Sequence, residues 1–454
     1  MTDAVAPIDV ADAAAPPATA PISGLKHRYI LLMLLGAYTL SFLDRQVVTI
    51  LAEPIKIDLR LSDTQVGMLT GLAFAIFYTF LGIPIARLAD RFSRPMIIAV
   101  SMTLWSAFTL LSGRAQNFTV IGLARLGVGF GEAGCNPCAH SMIADITPPE
   151  TRASALAFYS LGVPIGTILG LVLGGVIADA YGWRAAFLVA GAPGLVLALV
   201  TVLTIKEPRA KPAAQPLGET FKEMVTGFKE TFAALAGKRT FWLMAGATGL
   251  LAFVGYGHGP FAIAYFLRIH GEEVTALGHS IGLGPKGFLG IAGALSTGVG
   301  ALAGTFLGGR LADRAAARDK RAYMSVPAIG ALLSLPFYWF IYTVQSPLLA
   351  LSLGLLPALL NTLWYGPVYA TAQSVVPPKY RATTAAILLF VLNMIGLGFG
   401  PMSVGALSDF LAGPMGLGVA EGVRWALIFS SGAVAIAVVL FWLARKTVRE
   451  DIIS

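Results

Sequence analysis

The chain has 454 residues, 56% of them hydrophobic and only 12% charged, at a mean hydropathy of +0.75. Soluble domains carry roughly twice that charged share, so the composition excludes a soluble globular protein and indicates a polytopic membrane protein. The net charge of +8 is accounted for below without a nucleic acid partner, and two cysteines exclude a disulfide framework.

In chain order, residues 1–25 are rich in Ala and Pro, with three aspartates and no basic residue. They read as a disordered tail. They lack the basic and apolar regions of a signal peptide, so the first membrane helix is expected to serve as the insertion signal. A bilayer core needs about 20 apolar residues per helix, and twelve such runs follow. The first six are Tyr29–Leu51, Thr64–Leu88, Met96–Ser112, Phe118–Ile143, Ala153–Ile177 and Ala185–Ile205. The second six are Phe241–Leu267, Phe288–Leu311, Tyr323–Val344, Leu348–Gln373, Thr383–Leu407 and Trp425–Leu443. The expected organisation is an all-α membrane protein of two pseudo-symmetric six-helix bundles, 26–205 and 240–445. A cytoplasmic linker (206–239) joins them, and 446–454 form a C-terminal tail. Placing both termini in the cytoplasm puts most of the 32 Lys and Arg on that side, the positive-inside pattern of a plasma (inner) membrane protein. In the linker, Phe221, Met224, Val225, Phe228, Phe232 and Leu235 recur at helical spacing. They predict an amphipathic helix, either on the inner membrane surface or packed between the halves.

The halves repeat. "ARLADR" at Ala86–Arg91 returns as "GRLADR" at Gly309–Arg314, "PPETRA" at Pro148–Ala153 returns as "PPKYRA" at Pro377–Ala382, and Asp179 is echoed by Asp409. The three matches share nearly one spacing. Parallel six-helix repeats are a transporter architecture, with the substrate between the halves near the midplane.

Four strongly ionisable residues fall inside predicted helices: Asp44 and Arg45 in the first, Arg125 and Glu132 in the fourth. A charge at the bilayer centre costs about 2.5–3.5 kcal/mol on insertion scales, so these four should face inward and pair. Arg125 and Glu132 are two turns apart on one face. Asp44 with Arg125 and Arg45 with Glu132, or the reverse, would neutralise the set. A static network tying two helices is the plainer role. The functional one makes Asp44 and Glu132 proton-responsive, because desolvation favours a carboxyl's proton while a nearby guanidinium favours its charge. Arg45 and Arg125 would then hold an anionic head group. The second half is milder, with Tyr256, His258, Asn361, Trp364, Tyr365 and Asn393 as candidate cavity-lining residues. "GYGHGP" around His258 predicts a break in helix seven, and a hydrogen-bonded packing role competes for that histidine. A charged half facing an aromatic and aliphatic half suits a substrate with one polar and one apolar end.

Asp90, Arg91 and Arg94, with Asp313 and Arg314 as their repeat, predict a charged latch on the cytoplasmic side. Glu150, Arg152 and Arg381 are its further members, and an Asp at a helix N-terminus would gain from the dipole. Gly162, Gly166, Gly170 and Gly174 line one face of helix five and predict close helix packing. Cys135 and Cys138 form a C-x-x-C without a second pair to complete a zinc site. There is no P-loop, no H-E-x-x-H and no nucleophile–base set, so no enzyme, metal or cofactor is expected, with protons as the coupling ion.

"ARLADRFSRP" and "RLGVG" resemble the loop 2–3 and helix-4 signatures of the major facilitator superfamily, and "LGVPIGTILGLVLGG" resembles its helix-five signature. "SFLDRQ", "ADRFSRP", "LGVGFGEA", "MIADI" and "FYSLGVPIGTILG" together are similar to the spinster family of lysolipid and sphingolipid carriers. That resemblance implies functional roles for Asp44, Arg45, Arg125 and Glu132, and places Tyr159 near the head group. It implies a monomeric, proton-coupled carrier of an amphipathic anion such as a lysophospholipid or sphingoid phosphate, surrounded by membrane lipids. A multidrug antiporter, an organic-acid or sugar-acid symporter, or a non-transporting sensor would use the same fold.

Overall fold

The computed structural model describes residues 24–88, 92–209 and 217–453. Among the described residues the regular structure is entirely helical. Ten helices among these residues are long and apolar enough to cross a membrane. Two further crossings are hidden by chain geometry. The span Pro149–Thr204 holds two crossings that reverse at Gly182, whose φ of 83° and ψ of 165° suit glycine alone. The fourth crossing (118–146) is interrupted by a turn just after Glu132. The twelve expected crossings are therefore present.

Helices 1 to 6 are Leu25–Ile50, 63–88, Arg94–Ser112, 118–146, 149–181 and 183–204. Helices 7 to 12 are Arg239–Ile269, Pro285–Ala316, Ala322–Thr343, Pro347–Ser374, Pro378–Ala412 and Gly418–Asp451. Small residues decide how they pack, because in lipid the gain comes from close approach rather than water exclusion. The helix 5 glycines lie against helix 1 as their spacing predicts. A Cβ at Gly166 would strike the Thr39 carbonyl, and one at Gly170 would lie 2.6 Å from the Leu43 carbonyl. In helix 4, Gly129 abuts the Phe74 carbonyl of helix 2, and a Cβ at Gly131 would lie 2.6 Å from the Trp105 nitrogen of helix 3.

The halves meet where helix 2 packs on helix 11, with Gly67 against Pro401, and where helix 5 packs on helix 8, with Gly290 against Leu171. Helices 2, 8 and 11 each contain a π-helical turn, at Met68–Leu72, Ala294–Val299 and Asn393–Phe399.

Two expectations change. Helix 7 runs unbroken through His258 and Pro260. Its glycines serve contact instead: a Cβ at Gly257 would sit 3.1 Å from Gly400. The expected C-terminal tail is helical to Asp451, because the Asp451 carboxylate accepts from the Thr240 amide at 2.8 Å and so caps helix 7. The linker helix forms at Leu217–Ala236 as the spacing predicts, and its last turn packs on helix 7. Trp242 Nε1 donates to the Leu235 carbonyl at 3.0 Å and Leu235 is buried, while Phe228 and Phe232 stay exposed. The side chains of Phe221 and Met224 lie outside the described set.

Candidate functional site

Helix 1 supplies the centre of the site. Ser41 and Arg45 are one turn apart and both meet Glu132 of helix 4. Glu132 Oε2 accepts from Ser41 Oγ at 2.7 Å and from Arg45 Nε at 2.8 Å, and Arg45 Nη2 lies 2.6 Å away but off the donor line. Of the two pairings open to the sequence, Arg45 with Glu132 is the one formed. Asp44 points to helix 3 and accepts from Thr109 Oγ1 at 2.9 Å. Asp44, Arg125 and Glu132 are only 1%, 1% and 2% exposed. Yet Asp44 Oδ1, Glu132 Oε1, and Arg125 Nε and Nη1 have no hydrogen-bond partner. Four buried, unpaired polar atoms in one cluster are costly, and buried polar groups elsewhere are almost always satisfied.

Aromatic rings enclose the Arg45 guanidinium. Its Cζ lies 4.9, 4.6 and 4.3 Å from the ring centres of Phe42, Phe74 and Tyr78. A desolvated cation–π contact contributes about 2 kcal/mol. Phe74 also faces Arg125, whose Cζ is 5.6 Å from its centre, so one ring stands between two guanidinium groups. The close approach of helix 4 at Gly129 puts Phe74 there.

Tyr159 is fully buried and acts through its neighbours. It stacks on Tyr38 at 4.5 Å, and its hydroxyl donates to Asn136 Oδ1 at 2.5 Å. Asn136 in turn donates to the Tyr78 hydroxyl at 3.3 Å. A polar thread thus leads from helix 5 to the Arg45 cage. Across the interface, Tyr256 of helix 7 is half-buried. Tyr365 is 38% exposed and stacks on the buried Trp364 at 4.0 Å.

The other candidates in the second half separate. His258 is turned into its own bundle, between Tyr342 of helix 9 and Ser430 of helix 12, each at 3.0 Å. Asn361 is likewise engaged within the bundle, donating to Tyr338 at 2.7 Å and accepting from Ser334 at 3.0 Å. Both fit the packing role better than cavity lining. Asn393 is half-buried where the π turn of helix 11 begins. Sequence reasoning missed Tyr38, Ser41, Phe42, Phe74, Tyr78, Thr109 and Asn136. Tyr38 and Ser41 stand seven and four residues before Arg45, a helical spacing that could have flagged them.

At the face that holds both termini, Asp90 and Arg91 lie outside the described residues. Arg94 is wholly buried, but its partners are not the expected ones. It donates to Glu207 Oε1 at 2.6 Å, Asp145 Oδ2 at 2.7 Å and Ser141 Oγ at 2.8 Å. Burial alone would raise the Glu207 carboxyl, but the hydrogen bonds and charge of Arg94 outweigh it and hold it below the usual glutamate range. Glu150 and Arg314 are exposed, Arg152 is half-buried, and Arg381 donates to the Gln373 carbonyl at 3.1 Å. Asp313 lies in the last turn of its helix rather than at an N-terminus, and accepts from Tyr323 at 3.3 Å.

Carboxylate-to-helix contacts occur instead at the opposite face, between the halves. Asp409 ends helix 11 and accepts from the Asp63 and Thr64 amides that begin helix 2, at 2.9 and 2.8 Å. Asp179 ends helix 5 and accepts from the Gly287 amide in the first turn of helix 8 at 2.7 Å, with Lys286 Nζ at 2.9 Å. The pair is the same contact repeated by the internal symmetry. Between them Arg268 binds Glu53 at 2.5 Å and Asp63 at 2.8 Å, and Lys56 holds Asp63 at 2.6 Å. Among the described residues, the polar contacts joining the halves gather at this face.

Residues 34–401 match the model of the Major Facilitator Superfamily. An MFS-type efflux pump of Mycolicibacterium smegmatis is 33% identical over 92% of both chains. The sphingosine-1-phosphate transporter SPNS2 of Danio rerio is 26% identical over 82% of this chain and 74% of its own. A crystal structure of a bacterial homologue of the human lysosomal transporter Spinster, inward-facing and unoccupied, superposes with a TM-score of 0.82. It shares 32% identity and covers 95% of this chain and all of the other. These relatives are transporters rather than enzymes, and the chain belongs to the major facilitator superfamily as an integral membrane transporter that resembles the bacterial spinster members.

Proposed function

We propose that the chain is a proton-coupled carrier that moves amphipathic anions, such as lysophospholipids or sphingoid phosphates, by alternating access. The observation that carries the reading is the Arg45–Glu132 pair inside its ring of aromatic side chains, beside the unpaired atoms of Asp44 and Arg125. A proton taken by Glu132 removes the charge that engages Arg45 and leaves that guanidinium to a phosphate or carboxylate. Release of the anion lets Glu132 ionise and re-form the pair. Asp44 takes the same part toward Arg125. The tyrosines of both halves then line the path of the apolar tail. The cargo for which the Danio rerio relative is named, sphingosine-1-phosphate, is an anion of this type.

In this reading both termini are cytoplasmic, the Arg268 face is external, and the conformation is closed outside. The carrier acts as a monomer, with no cofactor beyond the proton. Purified protein in liposomes with an imposed pH gradient tests the proposal directly. Labelled lysophospholipid should accumulate only with the gradient, and uptake that ignores the gradient would overturn proton coupling. A second reading, efflux of amphipathic drugs, is favoured by the full-length similarity to the mycobacterial pump. Competition of such drugs against lysolipid uptake separates the two.

A further inference from the structure

Helix 6 is held to helix 3, where a Cβ at Gly194 would strike Ser106, and helix 1 is held to helix 5 by the glycine face already described. Helices 1 and 6 are therefore drawn to different neighbours. Directly between them, Gly36 faces Leu197, and the Tyr29 hydroxyl meets Thr204 Oγ1 at 2.7 Å. The result is a slot of about 640 Å³ lined by Leu32, Leu35, Thr39, Ile165, Pro193 and Leu197. That is within the usual size of a ligand site, roughly 300–1,000 Å³. The missing side chain at Gly36 and the proline of helix 6 leave the space. The walls are apolar, and Leu32 and Val196 are exposed on the outer surface of the bundle, so the slot opens to the bilayer and not to the charged site.

The slot has a polar end. Arg28, Leu32, Leu35 and Thr39 form one stripe of helix 1. From Arg28 to Thr39 the helical rise is about 16 Å, close to half of a ~30 Å hydrocarbon core. Lys26, at the start of helix 1, and Lys206, just past helix 6, lie at the same end. Lys26, Arg28 and Lys206 are exposed, and none has a carboxylate partner among the described residues. Unpaired basic side chains above a one-leaflet apolar slot are the complement of an anionic head group on an acyl chain.

We propose that this slot seats one acyl chain of an anionic phospholipid from the leaflet at the terminal face, with Lys26, Arg28 and Lys206 around its phosphate. The bound lipid fills the gap between helices 1 and 6 and so steadies the helix that carries Asp44 and Arg45. The inference stands apart from the transport reading, because it needs neither a substrate nor a proton.

Native mass spectrometry of the protein released from micelles with equimolar dioleoyl phosphatidylglycerol and dioleoyl phosphatidylcholine tests it. The wild type should retain one phosphatidylglycerol per monomer, preferred on the order of tenfold. The triple variant Lys26→Gln, Arg28→Gln, Lys206→Gln should lose the preference, and Gly36→Leu, which intrudes on the slot, should lose the retained lipid itself. If Gly36→Leu fails to elute as folded protein, the triple variant decides alone, since it alters only exposed side chains. Equal retention of both lipids by the wild type would overturn the proposal. So would an undiminished preference in the triple variant, a dimer peak in place of the lipid adduct, or an adduct that survives a folded Gly36→Leu.

Discussion

The two halves share one fold and divide the chemistry. In the first half, buried polarity is ionic and incomplete, with Asp44, Arg125 and Glu132 each retaining an unpaired atom. In the second, the two networks inside the bundle are neutral and closed, with His258, Tyr342 and Ser430, and Tyr338, Asn361 and Ser334, bonded among themselves. A closed network fixes a bundle, whereas an incomplete one can change partners at low cost. On the mechanism proposed above, pseudo-symmetry sets how the helices pack, while the groups assigned to switching all belong to one half.

The largest effect that tests this division is on transport. Glu132→Gln and Asp44→Asn should each abolish gradient-driven uptake in liposomes while leaving the elution profile and helical circular dichroism intact. Coupled uptake at the wild-type rate in both would end the assignment of switching to the first half. Next comes Arg268→Ala, which strands Glu53 and leaves Asp63 to Lys56 and Ser408. Breaking a buried pair costs about 3–5 kcal/mol. Spin labels across the halves should show longer distances at the Arg268 face, and an unchanged distribution would remove that residue from the closure. Asp409→Asn and Asp179→Asn should loosen the same face by about 1 kcal/mol each, as expected for carboxylates at helix N-termini. Similar shifts from both would sharpen the symmetry, and an effect from one alone would break it.

A smaller effect concerns acid. The Glu207 carboxyl is depressed in the fold, so its contribution is complete above the usual glutamate range and disappears as pH falls through the lowered value. The melting temperature of the wild type should fall on acidification below that range, and Glu207→Gln should flatten this part of the curve. A profile unaltered by the substitution would mean that Arg94 draws its stability elsewhere. Least of all, His258→Gln should cost about 1 kcal/mol in stability, in line with interhelical bonds in membranes, and leave proton coupling unchanged. Loss of coupling in that variant would erase the contrast between the halves.

Much of the architecture was legible because lipid imposes simple rules on sequence: length, apolarity and small residues at contacts. Asp44, Arg45, Arg125 and Glu132 stood out for the same reason, as charges where charge is expensive. Tyr38, Phe74 and Tyr78 did not, because aromatic residues in an apolar helix look alike whether they face lipid or a guanidinium. The repeat of Asp179 and Asp409 was visible, but its meaning was not. Each acts on an amide of the other half, and such a partner has no signature in the chain. His258 misled through its glycines, which resemble a break in the helix but are surfaces for contact.

The π turns at Met68–Leu72, Ala294–Val299 and Asn393–Phe399 carry a consequence for how such chains can vary in length. A π turn holds one residue more than the α-helical turn that would bridge the same ends. Removing Ala73 from helix 2 without such a turn to absorb it would rotate everything beyond it by about 100° and swing Phe74 and Tyr78 off Arg45. Removing one within Met68–Leu72 would let the turn relax to α geometry with both flanks in place. Within helices 2, 8 and 11, a one-residue deletion is thus best absorbed in these short windows, each on a helix where the two halves meet.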